Sequence, residues 1–188
     1  MARYFRLRDD MSIPGRWVLG APLDAQGKEI DPWQFEKGRA LELGSPPRFP
    51  LLVRGQPLDF SGAAFGILVV HERLVQLFEQ HGWQQEVQFV PARVEEQPEP
   101  YFILNTLRTI RCIDETRSGE IEYWRPEHDE PARVGAYRAV YGLKVDPAKV
   151  EGANIFRTWG WSVALIVSEH LKQVLERENI FGVKFVEV

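Results

Sequence analysis

Four histidines, one cysteine and several close carboxylates are the residues of this chain whose types could do chemistry. His71, His81, His128 and His170 would be metal ligands or acid-base groups, but no two share a ligand spacing and there is no H-E-x-x-H run. His71 stands where a helix cap is expected, which is a structural use of the ring. Cys112 lies in an apolar stretch, where a thiol stays protonated and inert. Glu127 and Asp129 could form the paired carboxylates of a glycosidase, and with His128 they could serve a small hydrolase. They sit among prolines in a polar segment, for which a wet loop is the simpler account. The glycines form no phosphate-cradling pattern. Residue types alone therefore assemble no catalytic or metal centre, and no cofactor is expected.

One functional pattern rises above this background. Glu95, Glu96 and Glu99 precede Tyr101, and Glu120, Glu122, Tyr123, Trp124, Glu127, Asp129 and Glu130 gather further on. Carboxylates beside aromatic rings suit capture of a basic protein surface, with the charges steering encounter and the rings filling pockets. These ten residues are the expected binding residues.

The elements that must position them follow from periodicity. Val163 to Val167 reads as a buried strand, a helix opens at Ser168, and Val183 to Val188 reads as a closing strand. The same order occurs earlier, in FGILVVHERLVQLFEQHGWQQEVQFV, and the copies align with Glu72 on Glu169 and Leu74 on Leu171. Leu74, Leu77 and Phe78 recur at helical spacing, which predicts a helix over Glu72 to Gln80 stopped by Gly82. In the second copy Leu171, Val174 and Leu175 form the buried stripe, Ser168 is the N-cap, Lys172 faces Glu176 across a turn, and Asn179 is a C-cap candidate.

Residues 1–62 read as a loop-rich N-terminal region. Tyr4 to Arg8 and Trp17 to Leu19 are short strands, and the prolines between Pro14 and Pro57 forbid regular structure. Trp17, Trp33, Phe35, Leu41, Leu43, Phe49, Leu51, Leu52 and Val53 are expected to hold this region on the core, since each exposed large apolar side chain forfeits about 1.5–3 kcal/mol. The first strand-helix-strand unit occupies 63–90, and Pro91 to Pro100 is expected to be an exposed acidic loop. Residues 101–145 are expected to be antiparallel strands: Tyr101 to Ile113 as one strand, hairpin-paired with Glu120 to Trp124, then Ala136 to Val145. Asp146-Pro147 should open a short helix, and 162–188 is the second unit. The expected fold is α+β in a single domain, with a mixed, mainly antiparallel sheet.

Composition bounds what such a fold does. A chain of 188 residues with 44% hydrophobic and 27% charged residues is an ordinary globular one. A net charge of −4 speaks against a nucleic-acid partner, which needs a clustered basic face. The single cysteine suits a reducing compartment, and no apolar run is long enough to span a membrane. Arg3, Arg6 and Arg8 are followed by Asp9, Asp10 and Pro14, not by the apolar core of a signal peptide. The expected location is cytoplasmic.

The run PPRFP (Pro46 to Pro50), the segment ILVVHERLVQLFE, the strand YFILNTLRTIRCID and the tail IFRTWGWSVALIVSEHLKQVLERENIFGVKFVEV together resemble family 11 of bacterial polymorphic-toxin immunity proteins, from about Ser45 to Val188. The resemblance implies a cytoplasmic α+β protein, encoded beside a toxin, that binds the toxin and blocks it without chemistry of its own. It implies a cognate protein toxin as partner, with no nucleic acid, membrane, small-molecule substrate, cofactor or metal. The matching positions Asn105, Asp114, Phe156, Ser168 and Glu169 are expected to be structural. Two other readings stand beside it: a small hydrolase using Glu127, His128 and Asp129 in a cleft between the repeat-bearing halves, and an interaction adaptor unrelated to toxins.

Overall fold

The computed structural model describes residues 2–188, which form fourteen strands and two α-helices. Strands β1 (Tyr4–Asp9), β2 (Val18–Leu19), β3 (Arg48–Phe49), β4 (Leu51–Val53), β5 (Phe60–Gly62) and β6 (Leu68–His71) lead into helix α1 (Glu72–Gln80). Strands β7 (Val87–Val94), β8 (Tyr101–Thr106), β9 (Thr109–Ile110), β10 (Ile121–Tyr123), β11 (Tyr137–Val140), β12 (Ile155–Thr158) and β13 (Trp161–Ser168) follow, then α2 (Glu169–Arg177) and β14 (Val183–Glu187). The class is α+β, and the pairing is mixed but mostly antiparallel.

The two related units occupy separate five-stranded sheets, ordered β14-β1-β13-β12-β9 and β3-β7-β8-β6-β5. In each, the strands before and after the helix flank a third strand that runs antiparallel to both. That third strand is β8 in the first unit and β1 in the second, so one copy takes it from later in the chain and the other from the N-terminus. The helix crosses over it in both. A period of two in side-chain direction then divides each sheet into two buried faces. Phe5, Leu7, Val70, Leu104, Leu165 and Val167 point to the helices, where Leu74, Leu77 and Phe78 of α1 meet Leu171, Val174 and Leu175 of α2 in one apolar cluster. The opposite face of the first unit's sheet, with Val69, Tyr101 and Ile103, is covered by Trp17, Phe35 and Phe49 of the N-terminal region. The opposite face of the second, with Tyr4, Phe156 and Ile166, is covered by the segment carrying Cys112 to Leu143.

Both helices begin as their caps dictate. The Ser168 hydroxyl accepts the Leu171 N–H at 3.2 Å, and the His71 ring nitrogen Nδ1 accepts the Arg73 N–H at 3.2 Å. Asn179, just past α2, takes the left-handed φ of 51° that ends a helix. Lys172 reaches Glu176 at 2.7 Å. Replacing Ser168 by Ala should lower stability by about 1 kcal/mol, because one buried helix N–H loses its acceptor. Urea unfolding should show the midpoint move with the slope unchanged; an unmoved midpoint would mean the cap is idle.

Several expectations give way to the tertiary structure. Tyr101 to Ile113 is not one strand: it breaks at Leu107 and Arg108, where the chain leaves one sheet for the other. The strand after the turn, β10, does not pair back on it but with β11, as a separate two-stranded ribbon. Pro91 to Val94 is strand, not loop. Strand β3 joins β7 only from Arg93 onward, so Pro91 sits where β7 is still an edge and a missing N–H is tolerated. In the N-terminal region Trp17, Phe35 and Phe49 are fully buried as expected, whereas Leu52, Val53 and Trp33 are exposed.

Candidate functional site

The two acidic groups lie in different parts of the molecule. Glu95, Glu96 and Glu99 follow β7, and each has a local partner. Glu95 accepts the Leu51 N–H at 3.1 Å and stands 3.6 Å from Arg48. Glu96 pairs with Arg54, and Glu99 stands 3.1 Å from the His71 ring. Tyr101, expected as their exposed aromatic companion, is 3% exposed and its hydroxyl donates to the Leu58 carbonyl at 3.3 Å. A central strand of the sheet has no free face, so this first group lacks the ring that would anchor a partner.

The second group is better placed. It occupies the ribbon of β10 and β11 and the two 3-10 turns between them. Glu122 pairs with Arg138 at 3.1 Å and Glu127 with Arg125 at 3.7 Å, while Glu120, Asp129 and Glu130 remain exposed. Asp129 closes the first turn in the left-handed region at φ 55°. The His128 ring accepts the Arg125 N–H at 2.9 Å and lies edge-on to Trp124. This histidine is a cap, and the depression it lines with Glu120 and Glu122 includes neither Glu127 nor Asp129. Among the described residues, no three histidine, cysteine, aspartate or glutamate side chains stand together as a metal site. Cys112 is fully buried, and that burial pushes its thiol up to about 12.

What the ribbon does build, with three other segments, is an aromatic groove of about 580 Å³. Its walls are Trp33, Trp124, Arg133, Tyr137, Trp159 and Trp161. Trp33 stands on a 3-10 turn whose N-cap, Asp31, accepts the Trp33 N–H at 3.0 Å, and buried Phe35 pins that turn to the core. Trp159 is displayed by the tight β12–β13 connection, where Gly160 has φ 81°. A Cβ on Gly160 would come within 2.9 Å of the Tyr137 ring, so only glycine lets Tyr137 pack beneath the turn. Glu36 accepts the Ser162 hydroxyl at 2.7 Å and so ties the N-terminal region to β13.

Arginines stack on these rings. The Arg133 guanidinium lies 5.6 Å from the Trp33 ring centre and 5.3 Å from that of Trp124, bridging them. Arg111 lies 3.6 Å over Trp159, and Arg6 lies 4.9 Å over Trp161. A second hollow of about 670 Å³ shares Tyr137 and Trp159 with the first and is lined further by Arg111, Asp114, Glu115 and Tyr123. Burial, reinforced by a 2.5 Å bond from its hydroxyl to Glu115, raises the pKa of Tyr137 above the usual phenol value. Bonds from Arg117 and Thr116 hold the Asp114 carboxyl well below the usual range. Both shifts run away from neutrality, so neither group is poised to transfer a proton near pH 7.

The remaining expected positions are structural. Asn105 is fully buried and donates to the Arg39 carbonyl at 2.8 Å and to Gln88 at 3.0 Å. Phe156 is fully buried, and Glu169 pairs with Arg3. Of the groove residues, sequence reasoning singled out only Trp124 as a contact. Trp33, Trp159, Trp161, Arg111 and Arg133 were not marked, although six tryptophans in one chain offered a signal.

A model described as Immunity protein family (Imm11) matches residues 2–188. The match takes in the N-terminal region that the pattern from Ser45 onward left out. None of the curated proteins compared with the chain matches it.

Proposed function

The chain belongs to the Immunity protein family (Imm11), and from that premise we propose that it neutralises one cognate protein toxin by binding and covering it, with no turnover of its own. The toxin is encoded by the adjacent gene, and the pair meets in the cytoplasm. No helix among the described residues is long and apolar enough to cross a membrane.

The observation that carries this reading is the groove. Trp, Tyr and Arg are the side chains that dominate binding energy at protein interfaces, and here they are concentrated on one concave face. Trp33 and Trp159 remain 48% and 47% exposed although each is held by a stacked arginine. Rings fixed before binding lose little freedom when a partner arrives. Tyr123 lines the adjoining hollow, and in this reading Glu120 and Glu122, which share a depression with the groove residue Arg138, act as rim charges together with Glu127, Asp129 and Glu130 of the neighbouring turns. Rim charges of this kind speed encounter and add little to affinity. Glu95, Glu96 and Glu99, on the other sheet, add to the long-range field only.

Expressing the neighbouring reading frame alone should arrest growth, and co-expressing this chain should restore it. A Glu127→Gln, His128→Gln, Asp129→Asn triple variant should protect as well as the wild type. If the neighbouring product is harmless alone, the immunity reading fails. If the triple variant still copurifies with the toxin but no longer protects, a hydrolytic role replaces occlusion.

A further inference from the structure

Two arginines of the groove face are engaged in a way that leaves their binding chemistry free. A guanidinium has a flat face, which can stack on a ring, and five N–H donors in its plane, which match a carboxylate two at a time. Arg111 and Arg133 both lie against rings: one is over Trp159 and the other sits between Trp33 and Trp124. Neither has a carboxylate within ion-pair distance among the described residues, although most other arginines of this chain do. Both are exposed. Each therefore lies against an aromatic ring while no ion pair engages its N–H donors, and Trp159 and Tyr137 form the wall common to the two hollows.

We infer that the segment of the toxin that enters this face is an acidic one, a loop whose carboxylates bond Arg111 and Arg133 while an apolar side chain between them fills the tryptophan groove. The inference rests on the immunity reading and makes it specific. It also reverses the sign expected from the acid-rich loops: Glu95, Glu96, Glu122 and Glu127 are already matched by arginines of the same chain, whereas these two arginines are matched by no carboxylate. A polypeptide fits better than a nucleic acid. Glu36, Asp114, Glu115 and Asp146 line the same hollows, and they would repel a continuous row of phosphates while leaving room for a few placed carboxylates.

The test measures binding of the wild-type chain and three variants to the polypeptide encoded by the neighbouring frame, at low and moderate salt. Arg111→Gln with Arg133→Gln should weaken binding by at least about tenfold, and Arg111→Glu with Arg133→Glu by about a hundredfold or more, as for charge pairs at an interface. Arg177→Glu with Lys184→Glu, an equal charge change on α2 and β14, should leave it within roughly threefold. Thermal melting guards against misfolding, and the glutamine pair removes charge without adding repulsion. Glutamine and glutamate variants that fold and bind like the wild type overturn the inference while the immunity reading stands. A wild-type chain that does not bind the polypeptide overturns both. Arginine-dependent capture of a short single-stranded oligonucleotide overturns it in favour of a polyanion.

Discussion

Phe78→Ala should remove about 3–5 kcal/mol of stability, the range for truncating a large buried aromatic. The ring is 1% exposed and stands edge-on to two others, Trp83 at 5.6 Å and Phe89 at 5.3 Å. Those contacts add to the area it buries, and the ring belongs to the apolar cluster that both helices share, so its loss leaves a cavity among packed side chains. Against the total of about 5–15 kcal/mol usual for a folded domain, this loss is severe. Its reach matters as much as its size. Because both helices share that cluster, we propose that the two sheets unfold as one unit. Hydrogen exchange in Phe78→Ala should then show the slow amides of β8 and of β13 losing protection together. If β13 keeps its protection while β8 loses it, the halves are independent.

Asp9→Ala should cost about as much, roughly 3–5 kcal/mol, because it strands a buried cation. The two carboxylate oxygens of Asp9 accept from Arg16 at 2.5 and 2.8 Å, and the side chains are only 13% and 6% exposed. Arg16 further donates to the Asp10 carbonyl at 2.8 Å and to the Trp17 carbonyl at 3.1 Å, so all three of its nitrogens are engaged. The pair joins the end of β1, in one sheet, to Trp17, in the cluster that covers the other sheet. An interior ion pair is near break-even against apolar replacements of similar volume, whereas half of it is not. Asp9→Leu with Arg16→Met should therefore be more stable than Asp9→Ala. Urea unfolding of the three proteins decides it: a single-variant loss under about 1 kcal/mol would mean that water reaches the site.

The parts of this architecture that depend on neighbours within one helical turn were legible before any coordinates. Both helices run over the residues their spacing marked, with Leu74, Leu77 and Phe78 or Leu171, Val174 and Leu175 inward and with Ser168 and His71 as caps. The short helix after Asp146 opens where the proline placed it. Misreadings begin where a segment's partner is distant. Tyr101 to Ile113 is apolar throughout, and nothing in its composition shows that Leu107 and Arg108 carry the chain from one sheet to another. Leu52 and Val53 are as apolar as Leu51, yet they turn outward because β4 pairs only with β2, outside the two large sheets.

The candidate site divides the same way. Clustered acids beside Tyr123 and Trp124 are adjacent in the chain and could be seen there, but none of them lines the two aromatic hollows. The arginine and tryptophan face is assembled from residues near positions 33, 111, 124, 133 and 159, which share no motif. By itself, the sequence determined the two amphipathic helices, their caps, the α+β class and the family pattern, because each is written in residue type and short spacing. Tertiary structure alone decided that β1 enters between β13 and β14, that β10 turns to β11, and that tryptophans from three remote segments meet. Closing long loops costs entropy that grows only slowly with length, so many pairings are open to a strand and the choice among them is made by the packing of the whole.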